Sequence, residues 1–239
     1  MIIKVIATGS GGNCIWMTDG QTRLLLDAGI PFKKIQSACA YQLGSLSGCL
    51  LTHEHQDHSK AVFQLARRGI KIYSSEGTLN TCGIADTASC CAVKSLESFE
   101  IGSFKIYPFK VHHDAAEPLG FCLWSNISQE KILFFTDTGY IDYRFSGLTH
   151  ILGECNYDPK LVDENVQAGK FPAEHKLRLL RYHMSIETFL EILRVNDDGT
   201  GTLKHVYPLH TSLLNGDIED FRKRIHGVTN AIVHFHLGR

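Results

Sequence analysis

The sequence predicts an α/β protein folded as one domain over residues 1–239, and three observations carry that expectation. Strand-like and helix-like segments are mixed along the whole chain. No internal repeat, low-complexity run or Pro/Ser-rich linker marks a boundary. Apolar residues make up 44% and charged residues 21% of the 239 positions, the balance of an ordinary soluble domain with matter enough for a large core.

The elements follow in order. Ile2–Ala7 reads as a strand, Thr8–Asn13 as a glycine turn, and two further short strands follow, the second at Thr22–Asp27. The consecutive leucines Leu24, Leu25 and Leu26 fit a strand buried on both faces. Pro31–Tyr41 is a helix with proline in its first turn. Gly48–Thr52 is a short apolar run, and Ser59–Arg68 reads as helical, with Val62, Phe63, Leu65 and Ala66 on one side. Strands return at Phe104–Val111, Leu119–Ser125, Lys131–Thr136 and Thr149–Gly153. Helices follow at Lys160–Ala168, Ala173–Tyr182 and Ser185–Val195, then a turn at Asn196–Gly201. A strand, a helix and a strand run from Leu203 to Phe235.

Composition excludes several classes. Lys and Arg number 24 against 25 Asp and Glu, for a net charge of −1, so the chain is not a strongly basic nucleic-acid binder, although a local basic patch is compatible with this balance. No run approaches the ~18 apolar residues of a membrane span, and Met1-Ile-Ile-Lys4 lacks the start of a secretory signal. The expectation is a cytoplasmic protein with no membrane partner. The eight cysteines contain no C-x-x-C pair and read as reduced, buried thiols. The 13 histidines stand out.

The informative segment is Cys49-Leu-Leu-Thr-His-Glu-His-Gln-Asp-His58, a strand leading through H-x-H-x-D-H into a helix. On an extended chain His53 and His55 project to the same side and can reach one ion. Asp57 and His58 fall where the chain turns into the helix and can face a second. Imidazoles and a carboxylate packed this tightly suit Zn²⁺ or Mn²⁺; the spacing argues against a merely His-rich loop. Two metal shells need more ligands. Val111-His-His-Asp114, Phe134-Phe-Thr-Asp-Thr-Gly139 and Val206-Tyr-Pro-Leu-His210 each place His or Asp just past an apolar run. Alone each would be a turn or cap; beside the His cluster each reads as a ligand source.

Several features are set aside. The Thr8–Asn13 turn lacks the Gly-Lys-Ser/Thr ending of a nucleotide-binding loop. His234 and His236 alternate without a carboxylate and read as structural. No cysteine has a neighbouring base in sequence, which leaves thiol catalysis unsupported.

The ordered motifs from residue 5 to about residue 213 resemble those of the metallo-β-lactamase-fold hydrolases. The resemblance implies a four-layer αββα sandwich and two divalent ions. One ion would take His53, His55 and His113, the other Asp57, His58 and His210, with Asp137 bridging. Asp27 matches an aspartate that lies beside the metals without binding them. His112, next to His113, leaves that assignment open by one position. Gly9–Asn13, His113–Pro118, Thr136–Tyr140, Glu154–Asp158 and His183–Ser185 are similar to segments of the YycJ/WalJ-like branch, associated with nuclease activity on DNA ends. The last two are also similar to the tRNA 3′-processing endonuclease, where a Glu–His pair handles the leaving-group proton. That implies catalytic roles for Glu154 and His183, and Asp57 of the H-x-H-x-D-H motif is expected to be catalytic as well.

Chemistry accords with phosphodiester hydrolysis: paired divalent ions activate water and hold a phosphoryl oxygen, and a histidine oriented by a carboxylate can protonate the departing oxygen. Lys170, Lys176, Arg178 and Arg181 against Glu174 make a basic stretch leading to His183. Lys176, Arg178 and Arg181 are the expected phosphate contacts, with a solvated helix face as the alternative. Arg222-Lys-Arg224 follows three acidic residues and reads as a mixed-charge surface. The short span from Asp137 to His183 leaves no room for a clamp domain or a tRNA-gripping arm. Substrate contacts then come from short loops or from the second subunit of a homodimer, and the expected partner is nucleic acid, DNA ends above folded tRNA. The rival readings are a small-molecule cyclic phosphodiesterase, a lactamase or thioester hydrolase, and a non-catalytic metal-stabilised binding module.

Overall fold

Short apolar strands that cannot bury themselves singly must pair, and in the computed structural model, which describes residues 1–236, they do so within two compact units. Of the described residues, the first comprises Met1–Lys110 and Ala115–Glu130, the second Val111–Asp114 and 131–236.

In the first unit β1 (Ile2–Ala7), β2 (Cys14–Thr18), β3 (Arg23–Leu26), β4 (Gly48–Leu50), β5 (Ile72–Ser74) and β6 (Cys90–Ala92) form a sheet in that spatial order. β1, β2 and β3 pair antiparallel, and the rest pair parallel. Leu24, Leu25 and Leu26 of β3 are all fully buried, as the unbroken apolar run requires. The crossovers carry α1 (Phe32–Ala38), α2 (Gln56–Ser59), α3 (Val62–Ala66) and α4 (Glu76–Thr81). Ile35, Val62, Leu65 and Leu79 from these helices join Leu25, Cys49 and Ile72 of the strands in one core. An antiparallel meander, β7 (Phe99–Ile101), β8 (Phe104–Lys110) and β9 (Leu119–Ser125), completes the unit.

In the second unit β10 (Lys131–Phe135), β11 (His150–Glu154), β12 (His205–Leu209) and β13 (Ile232–Val233) are consecutive parallel neighbours. α5 (Pro159–Gln167), α6 (Ala173–Tyr182) and α7 (Ile186–Asn196) lie between β11 and β12, and α8 (Ile218–His226) between β12 and β13. Asp158, Ser185 and Asp217 cap α5, α7 and α8 by accepting bonds from backbone amides of the first turn. α7 buries Ile186, Phe189, Leu190, Ile192 and Leu193, whereas α6 buries no residue.

Three expectations change in detail. Residues 70–101, where the sequence predicts no element, hold β5, α4, β6 and β7; strands of three residues are too short to show a period. The expected helix Pro31–Tyr41 shortens to α1 because the chain enters left-handed backbone at Ala40 and Tyr41, which cannot continue a right-handed helix. The expected helix Ser59–Arg68 is instead two short ones, α2 and α3. A continuous helix would need the carbonyls of Asp57 and His58 for the amides of Ala61 and Val62. Those carbonyls accept from Asn13 N at 2.7 Å and Ala28 N at 2.7 Å, and Ala61 N donates to Ala28 O at 2.9 Å. Loop-to-loop bonding thus outcompetes the helical ladder at the His motif.

The β2–β3 turn is pinned to the meander by Asp19. Its carboxylate accepts from Ser125 Oγ at 2.6 Å, from Thr22 N at 2.9 Å, from Gln21 N at 3.0 Å and from the Ser103 hydroxyl. Burial works against this carboxylate, but the bonds from Ser103, Ser125, Thr22 and Gln21 hold its pKa below the usual carboxylate value. A folded pKa below the unfolded ~3.9 means stabilisation that is full above that pH and is lost as pH falls through the folded value. Asp19→Ala is therefore expected to lower stability by about 1–3 kcal/mol at pH 7. In urea unfolding, the gap to the native chain should shrink as pH is taken below the carboxylate range; a gap that does not move with pH would show that the bonds to Asp19 carry no net stability.

Candidate metal centre

In the first unit the His motif begins where β4 ends, and a buried carboxylate orders it. Asp27, just past β3, has φ +57°, a left-handed backbone that turns its side chain inward. The residue is fully buried, as is His58. Asp27 Oδ2 lies 2.7 Å from His58 Nδ1. A carboxylate accepts, so Nδ1 carries the proton and Nε2 keeps its lone pair. Asp27 Oδ1 accepts from Thr52 N at 2.8 Å, and the Thr52 hydroxyl lies 3.0 Å from both carboxylate oxygens. With its one proton given to Asp27, Thr52 Oγ1 is left to accept from His53 Nδ1 at 3.0 Å. That bond leaves the lone pair of His53 on Nε2, which lies 3.1 Å from His55 Nδ1. Two imidazole nitrogens this close suit a shared proton or a shared cation. Asp57 Oδ2 lies 3.5 Å from His58 Nε2. Gly29 makes the approach possible: a Cβ there would sit 1.6 Å from Asp57 O. The first unit therefore brings Asp27, His53, His55, Asp57 and His58 together.

The second unit gathers the other expected residues at strand ends. Asp137 follows β10 with φ +49°, and His210 follows β12 with φ +55°. Glu154, the last residue of β11, is fully buried. Its Oε2 accepts from Thr138 N at 2.8 Å, while Oε1 lies 2.7 Å from His183 Nδ1 and 3.3 Å from His210 Nδ1. Asp137 Oδ1 lies 3.2 Å from His210 Nδ1, and Asp137 Oδ2 lies 3.7 Å from His113 Nε2. Asp137, Glu154, His183 and His210 each present a ligand atom, all within 4.8 Å of one another. Burial of two carboxylates among imidazoles is costly unless cations or protons compensate, and this mixture of donors fits a divalent metal ion.

The protonation pattern divides the histidines. Burial lowers the pKa of His113 against the opposing pull of Asp137 and Asp114, favouring the neutral imidazole that a ligand must be. For His183 burial opposes the charged form, but Glu154, through charge and hydrogen bond, and Asp137 raise the pKa above the ordinary histidine value. Glu154 shows the counterpart: burial raises its pKa, and the charges and bonds of His183 and His210 bring it down below the usual value. Glu154 thus holds His183 towards its protonated form.

Of the neighbouring pair, His113 stands beside Asp137, while His112 Nε2 bonds Asp142 Oδ2 at 2.7 Å with the side chain 40% exposed. The basic residues of α6 are engaged. Lys176 Nζ meets Asp163 at 2.5 Å, Arg178 makes a two-bond pair with Asp114 at 3.0 and 3.1 Å, and the Arg181 guanidinium lies over the Tyr182 ring. His234 pairs with His205 at 3.0 Å. All eight cysteines are free thiols, and burial raises Cys14, Cys49 and Cys155 well above the ordinary thiol pKa.

Residues outside the sequence-stated set also shape the site. Asn13 Nδ2 lies 3.0 Å from His58 Nε2, and Asn156 Nδ2 donates to His210 O at 2.7 Å while lying 3.1 Å from its Nδ1. Glu54, between two of the histidines, accepts from Ala116 N at 2.7 Å and so ties the 115–118 loop to the motif. An amide directly after a glycine turn (Asn13) or two residues past the dyad glutamate (Asn156) was the available signal.

Residues 22–205 match a family described as the beta-lactamase superfamily domain. Exodeoxyribonuclease YycJ of Bacillus anthracis is 30% identical over 226 residues, covering 89% of this chain and 83% of that protein. Exodeoxyribonuclease WalJ of Streptococcus pneumoniae serotype 2 is 30% identical over 228 residues, covering 89% and 82%. Among solved structures, the metallo-beta-lactamase fold protein YhfI from Bacillus subtilis aligns with a TM-score of 0.74 at 15% identity, over 98% of this chain and 95% of that one. The fold is thus the α/β metallo-β-lactamase fold that the motifs implied.

Asp27 acts on the site through His58 and Thr52. Asp27→Ala is expected to lower divalent-metal affinity about 10- to 100-fold, measured by competition against a chromogenic chelator. Affinity equal to that of the native chain would remove Asp27 as the group that orients the imidazoles.

Proposed function

Because the chain belongs to the beta-lactamase superfamily, in its YycJ/WalJ-like branch, we propose that it is a dinuclear metal-dependent phosphodiesterase, an exonuclease acting on DNA ends. The observation that carries the reading is the 2.7 Å bond between His183 and fully buried Glu154, beside the ligand-type residues Asp137 and His210. The naming of two 30%-identical relatives as exodeoxyribonucleases supports the substrate.

The proposed ligands are His53, His55 and His113 for one ion, Asp57, His58 and His210 for the other, and Asp137 for both. When bound, such ions supply Lewis acidity towards water and a phosphoryl oxygen. The chain's own part is orientation and proton handling. Asp27 and Thr52 fix which nitrogens of His58 and His53 carry lone pairs. Glu154 holds His183 with Nδ1 engaged, which leaves Nε2 as the atom to hand a proton to the departing sugar oxygen. We further propose that the 239-residue chain works as a single cytoplasmic hydrolase domain, with a second copy supplying substrate contacts. No helix among the described residues is long and apolar enough to cross a membrane.

A small phosphodiester is the second reading, and the ion pairs of Lys176 and Arg178 favour it, since they reduce the charge α6 can offer a nucleic-acid backbone. The test is degradation of end-labelled single- and double-stranded DNA and RNA with Mn²⁺ or Zn²⁺. Stepwise loss of nucleotides, absent from Asp137→Ala along with most of its bound metal, is the expected result. Intact oligonucleotides alongside a cleaved cyclic or p-nitrophenyl phosphodiester would move the assignment to a small substrate. His183→Ala should retain metal yet lose about 10²- to 10⁴-fold in turnover, most with poor leaving groups; equal losses for good and poor leaving groups would take the proton from His183.

A further inference from the structure

In the second unit two aromatic rings lie against each other in the open, next in sequence to the ligand-type residues. His112 and Tyr140 stack with centroids 4.1 Å apart and planes inclined by 22°. Tyr140 is 48% exposed and the His112 side chain 40%. Here the His112 ring is fixed by a carboxylate, and the backbone of both residues is tied to Thr138. Asp142 fixes His112 Nε2 at 2.7 Å. The His112 amide donates to Thr138 Oγ1 at 3.0 Å, and the Thr138 hydroxyl donates to Tyr140 O at 2.6 Å. The Thr138 amide in turn donates to Glu154 Oε2 at 2.8 Å, the glutamate that bonds His183. An unbroken chain of hydrogen bonds therefore connects the ring pair to the Glu154–His183 dyad. Between them, Gly139 lets the loop lie flush on the end of α6, because a Cβ there would sit 2.8 Å from Arg181 O.

The chemistry of the pair selects its ligand. The Asp142 carboxylate beside His112 disfavours a phosphate at this spot, which leaves ring faces as the recognition surface. One face of the Tyr140 ring is stacked on His112, and the residue remains half-exposed. A nucleobase is the planar apolar group that a nuclease substrate brings, and base-on-aromatic stacking tolerates any base. We propose that Tyr140, backed by His112, is a stacking platform for a nucleobase beside the scissile phosphate; this rests on the nuclease reading given above. The platform fixes the position of the terminal nucleotide by its base, without sequence preference, in a chain whose Lys176 and Arg178 are already paired with carboxylates.

The test compares short DNA strands that carry a normal base or an abasic site at the terminal or the penultimate nucleotide. The native enzyme is expected to favour the base by about 5- to 100-fold in KM at one of the two positions. Tyr140→Leu should collapse that ratio towards one, Tyr140→Phe and Tyr140→Trp should keep it, and His112→Ala should reduce it in part. Quenching of 2-aminopurine fluorescence at the same nucleotide, present with the native chain and lost with Tyr140→Leu, reports stacking independently of turnover. A base preference that persists in Tyr140→Leu, or a native enzyme that cleaves both strands equally, overturns the platform and leaves the nuclease standing. Failure of the native enzyme to cleave either strand overturns both.

Discussion

The bond between His58 and the fully buried carboxylate of Asp27 is the constraint on which the first unit's ligand turn depends. A carboxylate out of reach of water is tolerable only when its lone pairs are filled, and here Thr52 contributes an amide and a hydroxyl while His58 contributes an imidazole N–H. Each of those bonds also decides something else. The proton on His58 Nδ1 leaves the lone pair on Nε2, and the occupied hydroxyl of Thr52 does the same for His53. Two tautomers are thus set by one carboxylate. The left-handed turn at Asp27 is what delivers it, and the absence of a side chain at Gly29 lets the next residues cross the His motif backbone to backbone.

The second unit uses the same device with a different outcome. Glu154 ends β11 as a buried carboxylate, anchored by the Thr138 amide, and orders His183 and His210. The local field makes the difference. His183 faces Glu154 and Asp137 and is held towards its charged form, whereas His113 is dominated by burial and held neutral. One type of side chain is thereby held towards its charged form at one position and towards its neutral form at another, with the ring centroids 5.9 Å apart. Asp137 and His210 leave their strands in the same left-handed conformation as Asp27. For residues other than glycine such backbone costs of order 1–3 kcal/mol each. Three strand ends accept that cost where the side chain must be thrown across the end of a sheet.

The His motif was legible in the sequence because its information is local: the alternation of His53 and His55, and the position of Asp57 and His58 at the entry to a helix, survive without any tertiary contact. The apolar triplet of β3 and the capped helices after β11 were readable for the same reason. The three-residue strands β5 and β6 were not, since they exist only by pairing with neighbours. The split of α2 from α3 was invisible too; the apolar spacing there reads as one continuous helix, and the acceptors that break it belong to bonds from Asn13 and Ala28. The choice between His112 and His113 was beyond local reasoning, because it turns on Asp142 and Asp137, residues of a different loop. The state of the α6 cations was likewise hidden, because Asp114 and Asp163 become their partners only in three dimensions.

The backbone cross-bonds among Asn13, Ala28, Gly29, Asp57, His58 and Ala61 have a consequence for motion. Three segments far apart in sequence are laced so that no one of them can fray by itself: releasing the glycine turn frees the carbonyl of Asp57, and releasing the His turn strands the amides of Asn13 and Ala28. Local opening of the region must then be a concerted event, with the free-energy cost of a sub-global unfolding unit instead of that of a loop. A cation arriving at such a turn meets donors whose ordering entropy was spent during folding, so its binding energy goes into holding the ion instead of assembling the cradle.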